Sequence, residues 1–137
     1  MIVAMKNVIL AGVCIKDDAK VFQMKMDECI ALCNACQLNV IETITQSANS
    51  MNTISAFRKG KLDELRILVE EMDVDLVVFY NSLSVQMAER ISAVVGCNVI
   101  DRTALILDIF SSRARSRQAK LQTEMARLQY DLPRLLN

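Results

Sequence analysis

Three cysteines follow one another at short intervals in the first third of the chain: Cys29, Cys33 and Cys36. A C-x3-C-x2-C spacing can ligate an iron–sulfur cluster when an exposed loop wraps the thiolates around it. Here the cysteines fall in a segment whose apolar residues recur at helical spacing, and buried cysteine packs as a small apolar residue. We therefore interpret them as core residues and predict no metal site. The chain has no histidine, which excludes histidine-based catalysis and metal ligation.

A second group of residues could bind phosphate. It consists of Arg58, Lys59, Gly60 and Lys61, at the start of a helical pattern. Basic side chains and free backbone N–H groups at a helix N-terminus attract anions. The P-loop pattern G-x-x-x-x-G-K-[ST] fails, because Ser55 replaces its first glycine and Leu62 follows the lysine. The sequence predicts no GTPase site in this chain, whereas weak ATP binding at these four residues stays open.

A third group is basic and lies near the C-terminus. Residues 101–137 carry seven basic and four acidic side chains, a net charge of +3, which the first 100 residues cancel. A charged helix face is usually only solvated, but a run of cations also suits phosphate binding. We predict that six residues bind nucleic acid: Arg113, Arg115, Arg117, Lys120, Arg127 and Arg134.

The elements that must position these groups alternate along the chain. Apolar runs near residues 8–13, 40–44, 75–80 and 98–100 predict strands, and amphipathic spacing between them predicts helices. This alternation indicates an α/β fold with a small, mainly parallel four-stranded sheet flanked by helices. We assign residues 1–102 to this subdomain.

Residues 103–137 are predicted to form a long C-terminal α-helix. Neither glycine nor proline occurs from Thr103 to Leu132, and a continuous helix there would be about 45 Å long. Four of its apolar residues follow the 4-3-4 spacing of a coiled-coil seam: Leu121, Met125, Leu128 and Leu132. We predict that this seam pairs with a second helix or with another copy of the chain.

The composition is that of a folded domain, with 53% hydrophobic residues. No apolar run approaches the roughly 20 residues that a membrane span requires. No targeting segment is recognisable, and five cysteines in such a chain indicate a reducing compartment. We therefore predict a cytoplasmic protein that does not bind membranes.

The segment Asn98–Phe110, which reads NVIDRTALILDIF, resembles the VIDRTxLILDIF signature of HflX-type GTPases. The GKLDEL segment that begins at Gly60 is similar to GKGKLEEL in that family, and DLVVF from Asp75 is similar to DLVIF. The sequence departs from the family at Arg58, where glycine is usual. The Cβ of arginine restricts a close approach of the backbone to a phosphate.

This resemblance implies a ribosome-binding module of a translational GTPase. Its α/β subdomain would be followed by a helical hairpin arm, with residues 103–137 as the first half, that reaches ribosomal RNA of the large subunit. The family splits or rescues ribosomes by means of a GTPase domain, which binds GTP and Mg²⁺. We expect that domain and the second helix of the arm to lie beyond Asn137. The alternative is a stand-alone nucleotide-binding α/β protein with weak ATPase activity.

Overall fold

The computed structural model describes residues 6–16, 18–52, 54–113 and 117–135. Its four strands are all parallel and form one sheet in the order β2-β1-β3-β4. The elements are β1 (Lys6–Ile15), α1 (Ala19–Ala35), β2 (Leu38–Ala48), α2 (Lys59–Glu71), β3 (Leu76–Phe79), α3 (Val85–Val95), β4 (Asn98–Asp101), α4 (Arg102–Arg113) and α5 (Arg117–Leu135). The predicted α/β class, with a four-stranded parallel sheet and a C-terminal helix, is confirmed.

Each face of the sheet is covered by a hydrophobic core, and the residues of β1 alternate between the two. Ile9 and Ala11 pack with α2 and α3 on one face, whereas Val8 and Leu10 pack with α1 and α4 on the other. A strand that is buried on both faces must be apolar throughout, which explains the continuous hydrophobic run in β1.

The cysteines of α1 belong to the second core, as predicted. Cys29 and Cys33 are fully buried against the sheet, and Cys36 is half-buried beside them. A hydrogen bond with Cys29, together with burial, raises the pKa of the Cys33 thiol well above its usual value. In the described part of the chain, no cluster of three or more cysteine or carboxylate side chains could hold a metal ion.

The helical C-terminal part differs from the continuous helix that the sequence predicts. It is divided into α4 and α5, and the hydroxyl of Tyr130 in α5 lies 2.6 Å from the carboxylate of Asp101 at the start of α4. In one straight helix these residues would be about 43 Å apart. The end of α5 therefore lies against the sheet and the helices that flank it, which we call the α/β body. There its polar side chains form hydrogen bonds. No described helix is both long and apolar enough to cross a membrane.

Candidate interaction site around Asp101 and helix α5

Asp101 ends the edge strand β4, and its carboxylate is buried, with only 2% of the residue exposed. One oxygen, Oδ1, accepts a hydrogen bond of 3.2 Å from the N–H of Ala104 and so caps α4. The other, Oδ2, accepts a hydrogen bond of 3.0 Å from the N–H of Leu83, in the loop between β3 and α3. A buried charge is tolerated only when it has such partners. Asp101 thus joins three elements of the α/β body.

The same carboxylate also binds α5. The Tyr130 hydroxyl donates a hydrogen bond of 2.6 Å to Oδ1, and Nη2 of Arg134 lies 3.8 Å from Oδ2. Arg134 also donates hydrogen bonds to the carbonyl oxygens of Leu83 (3.1 Å) and Tyr130 (2.9 Å). Its guanidinium carbon lies 3.5 Å from the centre of the Tyr130 ring. Burial and the hydrogen bond to Asp101 raise the pKa of Tyr130 above its usual value, so its hydroxyl stays protonated and can donate.

Arg102, the next residue, makes its contact with a different aromatic ring. Its guanidinium carbon lies 5.0 Å from the centre of the Tyr80 ring, a cation–π distance. Phe22 packs edge-on against that ring, with 5.7 Å between centroids. Asp101 and Arg102, the first two residues of the DRT segment (residues 101–103), therefore attach the end of β4 to two separate groups of residues.

A groove of about 710 Å³ runs beside β4, between α3 and α5. All four residues of β4 line it, together with apolar side chains that include Leu83, Val85 and Ala88. Four residues of α5 close its other side: Arg127, Tyr130, Asp131 and Arg134. The groove is thus the space between the edge of the sheet and the helix that Asp101 holds.

Of the six predicted nucleic-acid-binding residues, the structure describes the side chains of Arg127 and Arg134. Arg127 and Arg134 line the groove and so lie on the side of α5 that faces the body. Arg134 makes the contacts with Asp101 and Leu83 described above, which the sequence does not predict. Arg113 lies in α4, and Arg117 and Lys120 lie in α5, but their side chains are outside the described part of the structure. Arg115 is outside the described residues altogether.

The predicted apolar seam is exposed along the opposite side of α5. The exposed fractions are 58% for Leu121, 62% for Met125, 59% for Leu128 and 52% for Leu132. At 100° per residue, these four side chains lie about 140° or more around the helix from the mean direction of Tyr130 and Arg134. One face of α5 therefore makes polar contacts with the body, while the other presents a row of large apolar side chains.

The predicted phosphate-binding residues surround the start of α2 but do not converge on one point. Lys61 forms an ion pair with Glu64 at 3.1 Å, and a Cβ added to Gly60 would meet no atom within 4 Å. Among the described residues, no neighbouring group packs against Gly60 closely enough to require a glycine there. The backbone N–H of Arg58 donates a hydrogen bond to the side chain of Gln46. Of the four residues, only Arg58 lines the nearby polar cleft.

That cleft, of about 370 Å³, lies where β1 and β2 end, and Lys16, Ser47 and Asn49 line it with Arg58. Lys16 was not among the predicted phosphate-binding residues. A signal for it exists, because ligands of open parallel sheets bind beyond the carboxyl ends of the strands, and Lys16 directly follows β1.

The fold and the site define an α/β module with a helical extension that is joined to the sheet edge through a buried aspartate. The GTP-binding GTPase N-terminal family matches residues 23–111, about two thirds of the chain. The chain belongs to this family.

The relatives of the chain are HflX proteins. It is 42% identical over 130 residues to the GTPase HflX of Alkalihalophilus pseudofirmus, a match that covers 95% of this chain and 31% of that protein. It is 31% identical over 121 residues to the GTPase HflX of Chlamydia pneumoniae, which covers 88% of this chain and 26% of that protein. The matches fall in the N-terminal part of these proteins, and the chain spans at most about a third of their length.

A solved structure has the same fold. A GTP-binding protein from the hyperthermophilic archaeon Sulfolobus solfataricus, in complex with GDP, superimposes with a TM-score of 0.68 at 25% sequence identity. The superposition covers 96% of this chain and 38% of the archaeal chain. The resemblance seen in the DRT segment is thus confirmed as membership of the HflX-type GTPase family.

Proposed function

We propose that this chain is the ribosome-binding N-terminal module of an HflX-type GTPase and that it acts on the large ribosomal subunit. In this proposal a domain that follows it in the full-length protein hydrolyses GTP, in ribosome splitting or rescue. The observation that carries the proposal is the match of nearly the whole chain to the N-terminal part of proteins named GTPase HflX.

The surface of α5 supports a role in binding rather than catalysis. Its four seam residues are each more than half exposed, although a folded chain normally buries such side chains. A second helix that packs along Leu121, Met125, Leu128 and Leu132 would cover them and complete a helical hairpin.

Binding to ribosomal RNA would occur mainly at phosphates. We assign the contacts to Arg113, Arg117 and Lys120, with Arg115 as a further contributor, because Arg127 and Arg134 face the body. Arginine suits this role, since its planar guanidinium can donate to two phosphate oxygens at once. Three such contacts predict that the affinity falls with salt with a log–log slope of about −2 to −3.

The test compares large-subunit binding by the wild type and by Arg113→Ala/Arg117→Ala/Lys120→Ala across a range of salt concentrations. We expect weaker binding and a shallower salt slope in the variant. The matched control, Lys20→Ala/Lys25→Ala/Arg66→Ala, removes the same charge from α1 and α2 and should bind as the wild type does. If the wild type does not bind the subunit, or if both variants lose affinity equally, the proposed function is wrong.

One observation favours nucleotide binding as a second candidate. Lys16 and Arg58 both line the polar cleft at the carboxyl ends of β1 and β2, where they could neutralise the phosphates of ATP. Titration of the chain with ATP tests this candidate. Binding that Lys16→Ala/Arg58→Ala abolishes and Lys59→Ala leaves unchanged would support it, whereas a flat titration would reject it.

A further inference from the structure

Helix α5 is attached to the α/β body by its polar side. The described residues of α5 that line the groove are Arg127, Tyr130, Asp131 and Arg134, spaced at one helical turn. The four seam residues of the helix are exposed on the other side. The contacts of Tyr130 and Arg134 with Asp101 and Leu83 hold the polar side of α5 against the body.

The Asp101 carboxylate is also held by hydrogen bonds that do not involve α5. The hydrogen bonds from Ala104 and Leu83 to the Asp101 carboxylate lie within the body and do not involve α5. They fix the orientation of both oxygens, and Oδ1 accepts the hydrogen bond from the Tyr130 hydroxyl. A carboxylate that neighbouring groups already hold loses little freedom when its next partner binds.

We propose that Asp101 is a positioning residue that sets the direction of α5 and thereby the direction in which the apolar seam faces a partner. The seam lies on the side of α5 opposite the side chains that contact the α/β body. A helix that covers Leu121 and Leu128 can bind α5 while Tyr130 stays on Asp101, so that α5 becomes the middle layer between the body and its partner. An effect of Asp101 on ribosome binding rests on the proposed function, whereas its effect on the direction of α5 does not.

The experiment measures hydrogen–deuterium exchange, helix by helix, in the wild type and in Tyr130→Phe/Arg134→Gln. These substitutions leave the capping of α4 and the bond from Leu83 intact. We expect the amides of α5 to exchange faster by on the order of tenfold or more, whereas those of α1 and α2 keep their protection. Tyr130→Phe alone should shift α5 in the same direction by a smaller factor. The matched control is Gln129→Ala, an exposed position on the same turn, which should leave exchange unchanged.

Two outcomes would overturn the proposal. One is unchanged protection of α5 in the double variant, which would mean that other contacts hold the helix. The other is an equal loss of protection in α1, α2 and α5, which would mean that the residues only stabilise the whole fold. Large-subunit binding is measured separately: if the wild type fails to bind while α5 responds as expected, the proposed function falls and the positioning role stands.

Discussion

The hydroxyl of Tyr130 donates a hydrogen bond of 2.6 Å to the carboxylate of Asp101, a residue that lies 29 positions earlier in the chain. This bond joins the last helix to the edge strand of the sheet. A single straight helix between them, which the sequence favours, would keep the two residues far apart.

The first prediction concerns the stability that this pair provides. Asp101→Ala leaves the N–H groups of Leu83 and Ala104 and the hydroxyl of Tyr130 without their acceptor, and should lower the free energy of unfolding by about 3–5 kcal/mol. Tyr130→Phe loses one charge-assisted hydrogen bond and should cost about 1.5–3 kcal/mol. Urea unfolding of both single variants and of the double variant measures this. Strictly additive losses would contradict a direct interaction.

The second prediction concerns pH. Burial and the bond to Asp101 hold the pKa of Tyr130 above its usual value. Between the two values the folded chain keeps a proton that the unfolded chain has released, so this stability is complete below about pH 10 and is lost as the pH rises further. The difference in unfolding free energy between the wild type and Tyr130→Phe should shrink by about 1.4 kcal/mol per pH unit above 10. A difference that stays constant from pH 8 to pH 11 would refute it.

The third prediction contrasts two glycines. A Cβ on Gly12 would lie 2.9 Å from Sδ of Met26 and 3.1 Å from Cζ of Phe22, so Gly12→Ala forces these buried side chains to shift and should cost about 1–3 kcal/mol. Gly60→Ala enters open space in the first turn of α2 and should stabilise by about 0.5–1 kcal/mol. Thermal unfolding of the two variants should show midpoints that move in opposite directions. Loss of stability in both would show that the space around Gly60 is not free.

The fourth prediction concerns self-association of the isolated chain. Each seam leucine that becomes buried contributes roughly 1.5–3 kcal/mol, so two copies should associate through α5 at high micromolar concentration. Sedimentation of Leu121→Glu/Leu128→Glu should show a monomer. The control Gln122→Glu/Gln129→Glu adds the same charge to α5 beside the seam and should still associate. A wild type that stays monomeric would show that the seam does not pair with itself.

The fifth prediction concerns GTP. The sequence lacks a P-loop, so calorimetry of this chain with GTP and Mg²⁺ should give a flat trace at micromolar protein. A fusion of the chain to the GTPase domain of a relative serves as the positive control. A low-micromolar isotherm from the isolated chain would contradict the assignment of GTP binding to another domain.

Much of the fold follows from local patterns in the sequence. The apolar run Val8–Val13 is typical of a strand that is buried on both faces, and the alternation of such runs with amphipathic segments predicts the parallel sheet. Ser84 caps the N-terminus of α3 and Gly96 ends that helix in a left-handed conformation, and both act on backbone groups within a few residues of themselves. The four seam residues lie on one side of α5 because helical periodicity is a property of consecutive residues.

The site depended on contacts between distant residues, which periodicity does not encode. Nothing in the spacing of Asp101, Tyr130 and Arg134 shows that they meet, since the predicted helix would hold them far apart. The contacts of Arg134 with Asp101 and Leu83 could not be predicted for the same reason. The sequence by itself determined which residues are buried in the sheet and which helix carries an apolar seam. Only the tertiary structure decided which way that seam faces. A buried carboxylate needs hydrogen-bond donors, and these can come from any part of the chain that the fold brings within hydrogen-bonding distance.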